Sequence, residues 1–167
     1  MDYFFMREDT RLGNAIKINI SSEALKLQDH QVVFSEISDK TRCPDYMQKQ
    51  IYAESFHLVS NDLYELIKLY CPDLKGYSLF LTDKDKLIQK HYWSIFPEKI
   101  YCLIEELKPN KKYLDGEKLE SKHLFCVSEH KATYIVSGLC LTENILRKYP
   151  HGVVFDPVDV RGGSFSG

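Results

Sequence analysis

The sequence lacks the patterns that mark metal, nucleotide and disulfide sites. Its five cysteines are widely separated and none forms a CxxC pair, so we expect neither a structural zinc site nor a disulfide framework. No GxxxxGK[ST] or GxGxxG segment occurs, which leaves nucleotide binding without support. The Asp83-Lys84-Asp85-Lys86 run lacks the glycine and the acidic twelfth residue of a calcium loop and is interpreted as a charged hairpin turn. We therefore expect no cofactor.

An excess of one charge and a long apolar run are also missing. The chain has 22 basic and 24 acidic residues and a formal net charge of −2. This balance argues against a general nucleic-acid binder, which needs a concentrated basic face. The most basic segment, Lys108 to Lys122, interleaves acids with its lysines and is interpreted as a solvated loop or turn. Without a basic leader or a 20-residue apolar stretch, secretion and membrane spanning are disfavoured, and we expect a cytoplasmic protein.

The chain has ample material for a hydrophobic core. Hydrophobic residues make up 44% of its 167 residues, and 11 Tyr, nine Phe and one Trp supply large aromatic side chains. This length fits one domain over residues 1–160, either undivided or as two subdomains separated near residues 50–56. The small residues at positions 161–167 predict a flexible tail.

Two segments repeat one order of strand, serine, helix, breaker and strand. The first runs from Leu58-Val59-Ser60 through a helical pattern to Tyr70, and the second runs from Ile135-Val136-Ser137 to Tyr149. We predict that Ser60 and Ser137 are the helix N-caps, because a serine hydroxyl can accept a hydrogen bond from a first-turn amide. Thr142 is a rival cap in the second copy.

The helices are supported by apolar spacing and the strands by alternation. The predicted helical faces consist of Leu63, Leu66, Ile67 and Tyr70, and of Leu141, Ile145, Leu146 and Tyr149. Predicted strands cover residues 2–6, 15–20, 32–37, 77–81, 92–96, 123–127, 133–136 and 153–155, with the first half of 99–107 also assigned as strand. A weaker pattern predicts a capped turn at Ser21-Ser22. Because strands outnumber helices without regular alternation, we predict an α+β fold with mainly antiparallel sheets.

No catalytic pattern stands out. Neither Ser60 nor Ser137 is bracketed by glycines as a nucleophile elbow requires. A small hydrolase or transferase, with a site assembled from distant residues such as His57, His123 and Asp156, is kept as the alternative function. An RNA-binding protein with aromatic strands is a further alternative, but it needs a basic rim that the sequence does not show.

The segment His91 to Phe96 holds the only tryptophan. In a strand, Tyr92, Ser94 and Phe96 share one face while His91, Trp93 and Ile95 share the other, so large side chains occupy both faces. One face is then core, and the other packs against a helix or a partner. The residues proposed to contact a partner are Asp83, Asp85, Tyr92, Trp93 and Asp115.

With these residues in place, the chain resembles bacterial immunity proteins of polymorphic-toxin systems, types eleven and forty-three. The resemblance is carried by the Met-Asp-Tyr-Phe-Phe opening with Asn14-Ala15, by Pro44-Asp45-Tyr46 before His57 to Leu63, and by the closing His123-Leu124-Phe125, Ile135-Val136-Ser137 and Gly152 to Val158. It spans roughly residues 2 to 158. It implies a non-catalytic cytosolic protein that neutralises a cognate toxin by direct association. Only structural residues transfer by it: Ser60, Ser137, Gly152 and Pro157.

Overall fold

The computed structural model describes residues 1–18, 28–106 and 111–162. These residues contain two α-helices and twelve strands, and the strands form two six-stranded sheets. The helices are α1 (Asn61–Tyr70) and α2 (Leu139–Leu146); the strands are β1 (Tyr3–Glu8), β2 (Ile16–Ile18), β3 (Gln31–Ile37), β4 (Tyr46–Ile51), β5 (Glu54–Ser60), β6 (Lys75–Asp83), β7 (Ile88–Phe96), β8 (Leu103–Glu106), β9 (Lys111–Asp115), β10 (Leu124–Glu129), β11 (Ala132–Gly138) and β12 (Val153–Arg161). Among them only the pairs β3–β6 and β9–β12 are parallel. The predicted α+β class with mainly antiparallel sheets is confirmed.

The two sheets have the same topology. The first sheet has the order β4-β5-β7-β6-β3-β2, and the second sheet has the order β10-β11-β1-β12-β9-β8. In both, the fourth and fifth strands are the parallel pair. The N-terminal strand β1 therefore occupies in the second sheet the place that β7 occupies in the first. The chain passes from the second sheet to the first between Glu8 and Ile16 and returns between Phe96 and Leu103, whereas residues 50–56 form the tip of the β4–β5 hairpin.

The repeated order in the sequence corresponds to a repeated structural unit. β4, β5 and α1 start at Tyr46, Glu54 and Asn61, and β10, β11 and α2 start at Leu124, Ala132 and Leu139, which is 78 positions later in each case. Both hairpin tips have one residue in the left-handed region, Tyr52 and His130, each with φ 54°. We call residues at the same place in the two units counterparts.

The structure confirms one predicted cap and corrects the other. Ser60 caps α1, with its Oγ accepting a hydrogen bond from the Leu63 amide at 3.3 Å. The N-cap of α2 is Gly138, and the prediction that Ser137 holds this position is wrong. Ser137 is buried and its Oγ lies 2.6 Å from Oγ1 of Thr142, which is inside the helix and so is not a cap either. The counterpart of Ser60 is Gly138, one residue beyond the serine that the sequence pattern aligns with it.

The second helix is shorter than predicted. It ends at Leu146, and Tyr149 adopts a left-handed φ of 52° with 91% of its surface exposed. A residue outside the helix cannot extend its buried face, so the prediction for Tyr149 is wrong. In contrast α1 runs to Tyr70 as predicted, before Pro72.

Several strand predictions need correction. In residues 99–107 it is the second half, Leu103–Glu106, that forms a strand, while Lys99 makes an isolated bridge to Cys126. The segment interpreted as a solvated loop contains β9. β12 includes Arg161, which was assigned to the tail. The predicted turn at Ser21-Ser22 and the tail from residue 163 lie outside the described residues.

A central core joins the two units. Its members come from both sheets and from both helices: Met6, Tyr46, Val59, Leu63, Ile67, Ile95, Leu124, Ile135, Leu141, Ile145 and Val153. At the junction Gly152 has a φ of 73°, and a Cβ there would lie 2.5 Å from Cβ of Pro44, so the position requires glycine. No helix within the described ranges is long and apolar enough to cross a membrane.

Candidate functional site

Five aromatic rings form a continuous row on the face of the first sheet that carries α1. The surface that we call the aromatic strip consists of these rings, from Tyr64, Trp93, His91, Phe80 and His30, and of two neighbouring apolar side chains of β3, Val32 and Phe34. Neighbouring ring centroids lie 4.1 Å apart for Tyr64 and Trp93, 5.4 Å for Trp93 and His91, 4.7 Å for His91 and Phe80, and 6.4 Å for Phe80 and His30. Four of the five rings are half-buried and His30 is exposed. The five rings are therefore partly accessible from the surface.

The strip begins where α1 crosses the sheet. The Tyr64 ring stacks on Trp93 at an interplanar angle of 12°, and Trp93 Nε1 donates a hydrogen bond to Oδ1 of Asn61 at 2.9 Å. Gly76 allows this arrangement, because a Cβ there would lie 2.8 Å from Cε2 of Tyr64. The first turn of α1 and the glycine in β6 thus fix the position of the only tryptophan.

We expect the substitution Gly76→Ala to displace Tyr64 from Trp93. The added methyl cannot fit under the ring, so Tyr64 must change its rotamer, and a core overpacked in this way loses roughly 1–3 kcal/mol of unfolding free energy. Tryptophan fluorescence and denaturant unfolding measure both effects. In a Tyr64→Leu background the same alanine should have little effect, because the clashing ring is gone. Equal losses in the two backgrounds would contradict the stacking explanation.

Hydrogen bonds hold the middle of the strip. His91 Nε2 lies 2.9 Å from Oγ of the buried Ser78, and the Ser78 amide donates to Oδ1 of Asp29 at 3.1 Å. Desolvation and the neighbouring His30 lower the pKa of His91, which favours the neutral imidazole. The His91 ring is stacked on Phe80 and tilted by 40° against Trp93, and it makes both contacts as an uncharged aromatic group.

Apolar side chains extend the strip towards β3. Val32 and Phe34 are each 50% exposed, and Val32 pairs with Phe80 across the ladder. Nζ of Lys84, in the β6–β7 turn, lies 3.6 Å from the centroid of the Phe34 ring. This is a cation–π contact at a surface position. Large apolar side chains that cluster on a surface mark interaction sites more often than isolated ones do.

The second sheet provides an internal comparison for this face. Ser137 is the counterpart of Val59, and the strand pairings can be followed outward from these two residues. In the first sheet Val59 pairs with Trp93 and Trp93 pairs with Ser78, and Phe80 lies two residues beyond Ser78 along β6. In the second sheet Ser137 pairs with Phe4 and Phe4 pairs with Pro157, and Asp159 lies two residues beyond Pro157 along β12. One strand further, Val32 and Phe34 correspond to Tyr113 and Asp115.

The counterpart face has charged residues at two of these positions. Phe80 corresponds to Asp159 and Phe34 to Asp115, and Arg161 covers Tyr113 with its guanidinium carbon 4.3 Å from the ring centroid. Tyr64 and Trp93 pack against the central core and are part of the fold. The shared topology accepts a carboxylate in place of Phe80 and of Phe34, so we look to binding for an explanation of these two aromatic side chains.

The structure separates the five residues that were proposed to contact a partner. Trp93 belongs to the aromatic strip and Asp85 is exposed in the turn beside Phe34. Asp115 lies in the second sheet, where it accepts a hydrogen bond from the Glu117 amide at 3.2 Å and pairs with Lys118. The structure therefore does not bring Asp115 to the strip.

Tyr92 and Asp83 are interior residues, which corrects their assignment to a contact surface. Tyr92 is 2% exposed and its hydroxyl donates to the Pro44 carbonyl at 2.6 Å. Asp83 is 5% exposed, and its carboxylate accepts the Ile37 amide at 2.8 Å and two amides of its own turn. These hydrogen bonds lower the pKa of Asp83, with the Ile37 amide the largest cause. Both side chains hold β-strands and turns together.

The residues of the alternative enzymatic hypothesis lie in three different environments. His57 is buried between Tyr46 and Thr133, with Nδ1 2.8 Å from the tyrosine hydroxyl and Nε2 2.8 Å from the threonine Oγ1. His123 packs edge-on against Tyr70, and Asp156 pairs with Arg7 at 2.9 Å. Within the part of the chain that the structure describes, no group of three His, Cys, Asp or Glu side chains is placed to hold a metal ion.

Sequence reasoning identified Trp93 but missed the other rings of the strip. The available signal was apolar residues at consecutive positions, as in Val32-Val33-Phe34, which puts large side chains on both faces of a strand. The buried members of β3 are Gln31, Val33, Ser35 and Ile37. The buried face includes the polar residues Gln31 and Ser35, and the exposed face includes the apolar residues Val32 and Phe34. The hydrophobic pattern of β3 therefore does not indicate which face is buried.

Comparison of the chain with protein-family models, curated proteins and solved structures finds no match. The resemblance to immunity proteins therefore stays a prediction. What can be said of function depends on the chain's own geometry, in which the aromatic strip has Phe80 and Phe34 where the shared topology accepts aspartates.

Proposed function

We propose that this protein binds another protein through the aromatic strip, and that the partner is a bacterial toxin domain which the binding neutralises without catalysis. The observation that carries the proposal is the contrast between the two sheets, which share one topology but differ in the chemistry of this face. Tryptophan and tyrosine are the side chains that most often anchor protein interfaces. In the strip these two rings are already stacked and fixed, so binding would order few side chains.

The surroundings of the strip favour a protein partner with a basic surface. Asp29 and Asp85 are exposed next to the strip, Asp29 accepting the Ser78 amide and Asp85 in the β6–β7 turn. Acidic groups around an apolar surface raise the association rate with a basic partner. Toxins that act on nucleic acids have such basic clefts, which is consistent with the predicted class. The same acids disfavour a nucleic-acid ligand, because its phosphates would be repelled.

The proposal predicts that wild-type protein protects cells from the product of the neighbouring large open reading frame when both are co-expressed. The substitution Phe34→Asp places on the strip the residue that the counterpart position has. We expect it to weaken binding about tenfold or more, because it removes an apolar contact and introduces a desolvation penalty. Isothermal titration of the purified pair and growth of the co-expressing cells measure the effect.

Tyr101→Asp is the matched control, since Tyr101 is an aromatic residue with 76% exposure away from the strip. It should bind as wild type does. Unchanged toxicity at equal levels of wild-type protein would reject the proposed function. Full protection and unchanged affinity with Phe34→Asp would leave the function in place but move the interface elsewhere. Tight binding of single-stranded RNA to the strip would favour the nucleic-acid alternative instead.

A further inference from the structure

A second apolar surface lies on the opposite flank of α1, in the groove between α1 and α2. The groove has a volume of about 630 Å³ and a floor of Leu63, Leu66, Leu69 and Ile145. Leu69, in the last turn of α1, is 79% exposed. The groove is thus an apolar surface that the described residues leave open.

Leu66 packs against the central core, whereas Leu69 is exposed and, within the described residues, has no such core contact to explain it. At the positions of Leu66 and Leu69, 78 residues later, α2 has Asn144 and Arg147. The buried positions Leu63 and Ile67 are conserved between the two units as Leu141 and Ile145. The core side of the two helices is therefore the same, while α1 has leucines at two groove positions where the second unit has Asn144 and Arg147.

The charges on the two walls of the groove have opposite signs. Asp62 and Glu65 line it from α1, and Lys148 lines it just after the end of α2. Asp45 also lines the groove, but its carboxylate already accepts hydrogen bonds from the Ser60 hydroxyl and the His151 amide. Arg147 is exposed next to Lys148. A single groove with one acidic wall and one basic wall is complementary to a copy of itself turned by a two-fold rotation.

We propose that two copies of this chain associate through the α1–α2 groove in a symmetric dimer. Leu69 of each copy packs against the apolar floor of the other. The two-fold axis brings Glu65 of one copy to Lys148 of its partner copy, and repeats the same pair on the other side. Tyr149 is 91% exposed and lies in sequence between two residues that line the groove, Lys148 and Pro150, so that it supplies an aromatic contact in the dimer.

The arrangement is independent of the proposed toxin contact. Tyr64 lies on the flank of α1 that faces the first sheet, and Leu66 and Leu69 lie on the flank that faces α2. A dimer formed through the groove leaves the aromatic strip open. Loss of the dimer and loss of partner binding can therefore be measured separately.

Sedimentation velocity over a concentration series tests the dimer. We expect wild-type protein to dimerise reversibly, and Leu69→Lys to weaken dimerisation about thirtyfold or more, because it replaces a central apolar contact with a charge. Leu87→Lys is the control, since Leu87 is a leucine with 90% exposure in the β6–β7 turn. A wild-type protein that remains monomeric at millimolar concentration would overturn the proposal. So would equal effects of the two lysine substitutions.

Charge reversal tests the symmetry of the contact. Glu65→Lys and Lys148→Glu should each weaken the dimer, because each places like charges opposite one another, and the double variant should recover most of the loss. Far-ultraviolet circular dichroism of each variant verifies that it is folded. A double variant that dimerises no better than the single variants would overturn the reciprocal pairing. Unchanged toxin binding by Leu69→Lys would show that the groove and the strip act separately.

Discussion

Deleting residues 1–13 will unfold this protein, and attaching the same residues after Gly167 will restore the fold. The reason is the place of β1, which pairs with β11 on one side and with β12 on the other. Its side chains Tyr3, Phe5 and Met6 are at most 6% exposed. Loss of each large core side chain destabilises a protein by about 2–5 kcal/mol. Together they match or exceed the roughly 5–15 kcal/mol that stabilises a typical domain.

The rearranged chain should fold because β1 completes the second unit. In the first unit the chain continues from β6 through a hairpin into β7, and in the second unit the place after β12 is taken by β1. β1 runs antiparallel to β12, and Tyr3 pairs with Val158, three residues before β12 ends at Arg161. Residues 162–167 can then form the covalent connection from β12 to Met1.

The new chain should begin at Asn14. This start leaves the turn after β1 attached to β1, where the Asp9 amide donates to the Gly152 carbonyl at 2.9 Å. Circular dichroism, tryptophan fluorescence and denaturant unfolding compare the deletion, the rearranged chain and wild type. A chain with residues 1–13 in scrambled order after Gly167 is the control and should remain unfolded. A folded deletion variant, or an unfolded rearranged chain, would contradict the assignment of β1 to the second unit.

The repeated order of elements was visible in the sequence, but its register was not. Both Ser60 and Ser137 precede a helical pattern, and each has the side chain of a good N-cap. In the structure the counterpart of Ser60 is Gly138. This alignment depends on strand pairings between residues that are distant in sequence, which a local pattern cannot predict. The place of β1 between β11 and β12 is non-local in the same way, since its partners lie more than a hundred residues later.

Local sequence patterns predicted an element correctly where its apolar residues are concentrated on one face. The helix α1 was predicted with its correct end, because its apolar residues lie on one side and Pro72 follows. The edge strand β4 was missed, because Gln48, Lys49 and Gln50 give it little apolar alternation. The strip was largely missed for the opposite reason, since β3 has apolar residues on both faces. Composition alone cannot tell which of two apolar faces is covered.

Unfolding free energy will fall by about 3 kcal/mol as the pH is lowered from 7 to 4, through His57 alone. His57 is 3% exposed, and burial lowers its pKa from 6.5 to about 4. Its two ring nitrogens contact Tyr46 in its own unit and Thr133 in the other, so a neutral ring, with one acceptor and one donor nitrogen, satisfies both hydroxyls. Protonation would turn both nitrogens into donors and place a charge in the core between the two units.

The direction of the pH effect follows from the two protonation equilibria. Above pH 6.5 the imidazole is neutral in both folded and unfolded chains, so His57 contributes no pH dependence there. Between pH 6.5 and about 4 the unfolded chain binds a proton that the folded chain does not, which favours unfolding. Below about pH 4 both states bind it and the effect reaches its limit. The difference between the pKa of His57 in the unfolded chain and in the folded chain corresponds to about 3 kcal/mol of unfolding free energy.

Denaturant unfolding of wild type and His57→Gln at a series of pH values isolates this contribution. The glutamine can bond both hydroxyls but does not titrate, so its unfolding free energy should lose about 3 kcal/mol less than that of wild type between pH 7 and pH 4. His130→Gln is the control, because the side chain of His130 is 82% exposed at the β10–β11 tip, and it should follow the wild-type curve. Parallel curves for wild type and His57→Gln would show that the imidazole is solvated in the folded protein. The contact between the two units at Thr133 would then be open to water, and the two sheets would be less tightly joined than their shared core indicates.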